Sequence, residues 1–413
     1  MRKRASVVLF IAVFAATMGV GFIGPLLPLY ARSLGATGLQ LGMIFSGFAI
    51  ARFLLTPFIG RASDRFGRKV FLACGLATFS GFSLLYIWAS SAAELILVRS
   101  LHGMAAGMVI PIAQAYVGDI SPSGKESTSM GTFTVALFTA FGIGPLVGGT
   151  LADRFGMSAP FYVMGILSAV AFLIVLIFLP EMGLHKEKWE KRAPVRDVLS
   201  HSVVVALVVF RVTSAFGRGV VVPFLPFVAE SRGANISMIG VLLATHILLA
   251  GLLQIPFGRL ADRVSRPLLM SLGLIGSAVT IFAIPYCTTV THLFFLQIAT
   301  GVVSAIGFPA AIGMAALAGK KFNGMGTVMA VFNSGMSIGL ILGPLGGGFF
   351  EGIFGLDFVF KGGSLMMVVG LCAYLVLMRR SYQTGSLKEL LATARDEDAG
   401  ATSSEGALAP TRD

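Results

Sequence analysis

Twelve runs of predominantly apolar residues follow one another along this chain, each close to the roughly 20 residues that an α-helix needs to cross the hydrocarbon core of a bilayer. No other feature constrains the fold as strongly. In lipid every backbone N–H and C=O must be satisfied within the protein, which leaves helices and closed barrels as the spanning structures. Continuous apolar runs, rather than short alternating ones, select helices. The runs predict spans near 6–29, 39–60, 69–89, 93–117, 130–152 and 159–180, then near 202–228, 237–258, 267–287, 292–317, 326–350 and 359–378. The composition agrees: with 56% apolar and 12% charged residues, a 413-residue chain has too little polar surface for a soluble enzyme, a nucleic-acid-binding domain or a disordered scaffold. The start, Met1-Arg2-Lys3-Arg4, is like that of a secretory leader. Its apolar run continues to Leu29 through Pro25 and Pro28 without a persuasive cleavage site, so it is read as the first span.

The expected architecture is an all-α membrane protein with twelve transmembrane helices in two six-helix bundles. Residues 1–180 form the first bundle, 181–200 a cytoplasmic linker, 201–379 the second bundle and 380–413 a cytoplasmic, mostly disordered tail. Lys186, Lys188, Lys191, Arg192 and Arg196 mark the linker. In the tail, Ser386 and Glu389 have capping-box spacing ahead of Leu390 and Leu391, which predicts one short helix over 386–395. The net charge of +12 follows from topology. With the N-terminus inside, 23 Lys/Arg fall in cytoplasmic segments and four, Arg32, Arg154, Arg232 and Lys361, in outer loops, so both ends are expected in the cytoplasm. Nucleic acid is not needed to explain the cations. The three cysteines, Cys74, Cys287 and Cys372, lie in apolar segments and form no disulfide framework.

The halves repeat. Pro25 and Pro28 recur as Pro223 and Pro226, Gly60 and Asp64 as Gly258 and Asp262, and Pro111 as Pro309, all at an offset of 198; Gly144-Pro145 recurs as Gly343-Pro344 at 199. Repeated six-helix halves are a common way to enclose a midplane site that opens to alternate sides. At these residues the chain resembles the major facilitator superfamily. Gly60-Arg61-Ala62-Ser63-Asp64-Arg65-Phe66-Gly67-Arg68-Lys69 is similar to its loop 2–3 signature, and a degraded copy runs from Gly258 to Pro267 with Asp262 and Arg263. Arg99 with Gly103 resembles the buried-arginine motif of the fourth span. Gly142-Ile143-Gly144-Pro145-Leu146-Val147-Gly148-Gly149 resembles the fifth-span signature associated with antiporters, especially drug:proton exporters.

Physical roles can be assigned beside the resemblance. Gly60, Asp64, Arg65, Gly67 and Arg68, with Asp262 and Arg263, are expected on short cytoplasmic loops, where the carboxylates pair with cations and helix N-termini in one conformation and release them in another. Gly144, Pro145, Gly148 and Gly149 in the fifth span, and Gly343, Pro344 and Gly347 in the eleventh, make small-residue stripes that let helices approach closely and slide. Static packing would need the same stripes. Gly19-Val20-Gly21-Phe22-Ile23-Gly24 matches a dinucleotide fingerprint but lies inside an apolar helix with no strand before it, so no such cofactor is expected.

Four arginines, Arg52, Arg99, Arg211 and Arg218, fall within predicted spans, where each would cost about 2.5–3.5 kcal/mol at a helix centre. They are expected to face an internal pathway. Arg211 and Arg218, seven apart, share a stripe with Ser214, and His246 sits mid-span. The resemblance makes Arg99 structural or part of a proton relay. All 19 acids avoid the span centres. Proton-coupled exporters of the resembled branch often carry an embedded carboxylate, so the antiporter signature and the cationic interior point to different substrates. The expected function is a secondary transporter of a small solute, an exporter of the solute:proton antiport type, working as a monomer in the cell (inner) membrane. The alternatives are an organic-anion carrier using the arginines, with His246 as proton site, and a non-transporting receptor. No catalytic cluster, metal-ligand spacing or ATP-binding loop occurs, so no enzyme, metal or cofactor is expected.

Overall fold

The computed structural model describes residues 2–121, 126–180, 194–322 and 324–387. The first half comprises α1 (Arg2–Ser33), α2 (Gly38–Phe66), α3 (Arg68–Trp88), α4 (Ala92–Ile120), α5 (Glu126–Phe155) and α6 (Ala159–Phe178). A short helix, α7 (Val195–Ser200), precedes the second half: α8 (Ser202–Ser231), α9 (Ile236–Leu252), α10 (Gln254–Arg263), α11 (Arg266–Ala283), α12 (Val290–Lys321), α13 (Met325–Phe354) and α14 (Leu356–Gln383). Among the described residues, 11 helices are long and apolar enough to cross a membrane, or 12 when α9 and α10 count as one bent span. The fold is therefore all-α and multi-pass, with two pseudo-symmetric six-helix bundles.

Helix starts follow local chemistry. The side chains of Thr37, Ser91, Asn235 and Thr289 accept hydrogen bonds from the backbone three residues on, satisfying donors that helix N-termini leave open. Thr37 and Gln40 complete a reciprocal capping box. Prolines inside α1, α2, α4, α5, α8, α12 and α13 remain in helix because neighbouring helices hold the backbone on each side.

Three expectations change. The helices overrun their apolar windows, since a window measures bilayer thickness whereas hydrogen bonding continues into the polar zone. Gly60, Asp64 and Arg65 consequently stand on the last turns of α2, not on a loop, and Asp262 and Arg263 on α10. Only Gly67 separates α2 from α3, at φ +100°, a conformation that a side chain would strain. The eighth span, expected as one helix over 237–258, bends by 42° at Leu253. Pro256, in the first turn of α10, supplies no N–H and crowds the carbonyl four residues back. The linker contains α7, seated through the buried Val198 and through His201, whose ring stacks on Phe322 at 3.7 Å. Residues 181–193 of the linker and 388–413 of the tail lie outside the described residues, as does nearly all of the helix expected at 386–395.

The stripe of small residues divides its work. Gly144 and Gly148 of α5 press on Gly21 and Phe22 of α1, and Gly339, Gly343 and Gly347 of α13 press on the Val212, Phe216, Gly219 and Phe224 region of α8, all within one bundle. Contact between bundles uses the adjoining faces. Gly149 meets the Ile236 carbonyl of α9, and Gly348 meets the Gly38 carbonyl of α2. Gly240 and Gly42 return the contact against the carbonyls of Pro145 and Pro344.

Candidate functional site

Between the bundles lies a cavity of about 2590 Å³ that opens at one end. The mouth is framed by Gly60, Asp64, Arg65, Gly67 and Arg68 from the α2–α3 junction, by Asp119 at the end of α4, and by Lys320 and Met325 where α12 passes to α13. The opposite end is closed by the glycine seams and by two polar clasps. Arg32 of α1 pairs with Glu351 of α13 at 3.1 Å while its guanidinium lies 3.8 Å over Phe227 of α8. Asp153 of α5 accepts hydrogen bonds from Asn235 at 3.1 Å and Ser237 at 3.0 Å, at the start of α9. Ser46 of α2 adds a 2.7 Å bond to the Ile341 carbonyl of α13.

Arg52, Arg99, Arg211, Arg218 and His246 all line this one cavity. Ser214 does not, although it shares the Arg211 stripe. Arg99 and Arg211 are each 5% exposed. The Arg99 guanidinium lies 4.2 Å over Phe48, and that of Arg211 lies 4.5 Å over Phe308 with one N–H donated to the Met336 sulfur. Two nitrogens of each of Arg99, Arg211 and Arg218 are buried without a hydrogen-bond partner. Aromatic faces stabilise a cation by about 0.5–2 kcal/mol, which leaves the N–H groups unsatisfied. Among the described residues, the acids in the cavity wall are Asp64 and Asp119, both at the mouth. Both pair with Arg68, at 3.4 and 3.0 Å. The inner wall thus carries positive charge, aromatic faces and hydroxyls without a carboxylate.

The junction residues pair within their own halves. Asp64–Arg68 joins α2 to α3, Arg68–Asp119 joins α3 to α4, and Asp262–Arg266, at 3.4 Å, joins α10 to α11. His102 is a satisfied core group, contacted by Tyr86 and Ser83 and packed on Phe79 at 3.8 Å. The clasp residues Arg32, Asp153 and Glu351 were not expected as functional. The signal lay in the repeat, because Asp153 and Glu351 fall within one position of each other in its register.

The profile of the Major Facilitator Superfamily matches residues 9–216 and 207–396, and the chain belongs to that family. It is a transporter of small molecules rather than an enzyme. It is 29% identical over 384 residues to an uncharacterized MFS-type transporter of Methanocaldococcus jannaschii, covering 90% of this chain and 98% of that protein. It is also 33% identical over 172 residues to the quinolone resistance protein NorA of Staphylococcus aureus, a match spanning 42% of this chain and 44% of NorA. Among solved structures, a bacterial homolog of the human lysosomal transporter Spinster superposes with a TM-score of 0.82 at 15% identity over 92% of this chain and 98% of that one. The human organic anion transporter MFSD10 superposes with a TM-score of 0.62 at 18% identity over 90% and 99%.

Proposed function

We propose that this transporter exports a small organic anion across the cell membrane in exchange for protons. The observation that carries the sign of the substrate is the inner cavity wall: Arg99, Arg211 and Arg218 hold buried N–H groups without partners, and among the described residues no acid lines the wall beside them. Buried like charges repel and lose hydration unless an anion or water compensates. A carboxylate, phosphate or sulfonate answers both needs with charge-assisted hydrogen bonds, and the aromatic walls receive an apolar body. Export by antiport is supported by the fifth-span signature and by the likeness to NorA. The outer loops carry few cations, so the reading puts both chain ends and the cavity mouth in the cytoplasm, with the clasps outside. His246, on the cavity wall, is the group of this reading that carries the proton.

The test uses purified protein in liposomes under an imposed pH gradient, with carboxyfluorescein as the anionic probe and ethidium as the cationic one. Proton-driven movement of carboxyfluorescein in preference to ethidium is the expected result. A second reading, export of cationic drugs, draws on the likeness to a quinolone resistance protein, and the reverse preference would establish it in place of the first.

A further inference from the structure

Arg99 of α4 and Gln297 of α12 stand 198 residues apart, the offset that relates the two halves. One turn further on, Gly103 packs against the backbone of Phe48, and its repeat mate Gly301 packs against the backbone of His246, again 198 apart. The α2–α4 joint and the α9–α12 joint are therefore one construction used twice. In the first copy a guanidinium covers a benzene ring. In the second, Gln297 and His246 occupy the two corresponding places.

Gln297 is 2% exposed, and neither its amide nitrogen nor its amide oxygen has a hydrogen-bond partner. It lies within interaction range of the His246 ring but outside hydrogen-bond geometry. His246 is nearly buried as well, yet reaches the cavity wall. A packed interior rarely holds an amide with both ends empty, because each orphan group forfeits its hydration. We infer that Gln297 is a positioning residue for His246, its amide oxygen holding one ring N–H in both the protonated and the neutral state, so that His246 can take up and release the transported proton at the other ring nitrogen.

The chemistry favours an amide over the alternatives. Neutral imidazole has one donor and one acceptor, and imidazolium has two donors. The oxygen of Gln297 accepts from the ring N–H that neutral imidazole and imidazolium share. A proton arriving from the cavity adds to the ring nitrogen on that side while the far N–H stays bonded to the amide oxygen; on release the same proton returns to cavity water. An arginine at 297, as in the first copy, would repel the imidazolium, and a carboxylate would trap it. Of the elements packed on α9, α8 brings one charged neighbour, Arg218, α10 carries Arg259, Asp262 and Arg263 in its second half, and α1, α5 and α12 carry their ionisable groups at their ends. The inference rests on the proton-antiport reading above.

The experiment reads the proton directly. Full-length protein with isotope-labelled histidine is reconstituted in liposomes and its ring nitrogens are titrated by NMR, the His246 signals being assigned by their loss in His246→Gln from the five histidines. The wild type is expected to show a resolved His246 titration with a single neutral tautomer. Gln297→Glu should raise the midpoint by more than about one unit, and Gln297→Met, of matched length, should mix the tautomers while remaining folded. In parallel, proton-driven carboxyfluorescein flux should shift its pH profile with the midpoint. Unchanged His246 titration in both variants would overturn the role of Gln297. A wild-type His246 that stays neutral while carboxyfluorescein flux remains proton-driven would overturn the inference and leave antiport standing. Absence of proton-driven flux in the wild type would instead strike the antiport reading itself.

Discussion

Two arginines on one face of α8 illustrate what single residues reveal. Arg211 and Arg218 both reach the cavity, and both keep unpartnered N–H groups. Replacing either by Gln is expected to weaken carboxyfluorescein binding by about 1.5–3 kcal/mol, roughly 10- to 150-fold, and to leave neutral lipophiles nearly untouched. Lys should rescue in part, since it keeps the charge and loses the planar fork. Equilibrium binding to purified variants decides it, and equal losses for every ligand class would assign the pair to folding. The inward placement of these arginines was legible in the sequence, because a guanidinium at mid-bilayer has nowhere else to go. Gln297 was not. A single amide in an apolar helix carries no visible cost until its surroundings are known, and only the packing of Gly301 on His246 exposes its position.

At the scale of elements, glycine spacing foretold close approach but not which partner. Gly339 faces the Val212 carbonyl and Ala215 of α8, whereas Gly352, further along α13, faces open space. Gly339→Ala should therefore destabilise by about 1–3 kcal/mol through overpacking. Gly352→Ala should be neutral or gain up to about 1 kcal/mol from helix propensity. Thermal unfolding in detergent separates the two, and similar effects at both sites would mean that the seam yields to a methyl group. Helix α2 makes a different point. Its last turns carry Asp64 to the cavity mouth, where the carboxylate lies mostly exposed beside Arg68. Exposed pairs contribute little to stability, so Asp64→Asn should insert and express normally. Its transport should fall, because Asp64 must find other cations when the mouth closes. Wild-type flux in this variant would reduce Asp64 to a solvated surface group.

At the scale of the whole molecule, the closed end is held by two clasps built alike. Arg32–Glu351 ties α1 to α13, and Asp153 ties α5 to the N-terminus of α9, so one carboxylate crosses the bundle interface on each side. Each also lies near the positive end of a helix in the other bundle. Combining Glu351→Gln with Asp153→Asn should remove about 1 kcal/mol of support for this conformation, about a fivefold shift towards the form open at the other end. Thiol labelling of Leu41→Cys, behind the clasp, would report it as faster modification, and an unchanged rate would leave closure to the glycine seams alone. Reporter fusions after Arg196 and after Arg380 are expected to read cytoplasmic, and outer labelling of either would invert the assignment of mouth and clasp.

Length and periodicity alone determined that the chain spans a membrane with helices, where each span falls to within a few residues, and that the halves are copies. These are properties of local transfer energy and of the repeat, and neither depends on which helix touches which. The cationic interior was determined too, since charge cannot be left in lipid. The tertiary structure decided what depends on pairing. It turned the Asp64 and Asp262 loops into helix ends, bent the eighth span at Leu253, and drew Arg52, Arg99, Arg211, Arg218 and His246 around one cavity while leaving Ser214 out. It also set which end is closed. The physical reason is that two copies of one packing scheme must meet along faces that each helix shares with several neighbours. The energy separating those choices comes from backbone contact at glycines and from a few cross-bundle carboxylates, and both become visible only when distant segments are brought together.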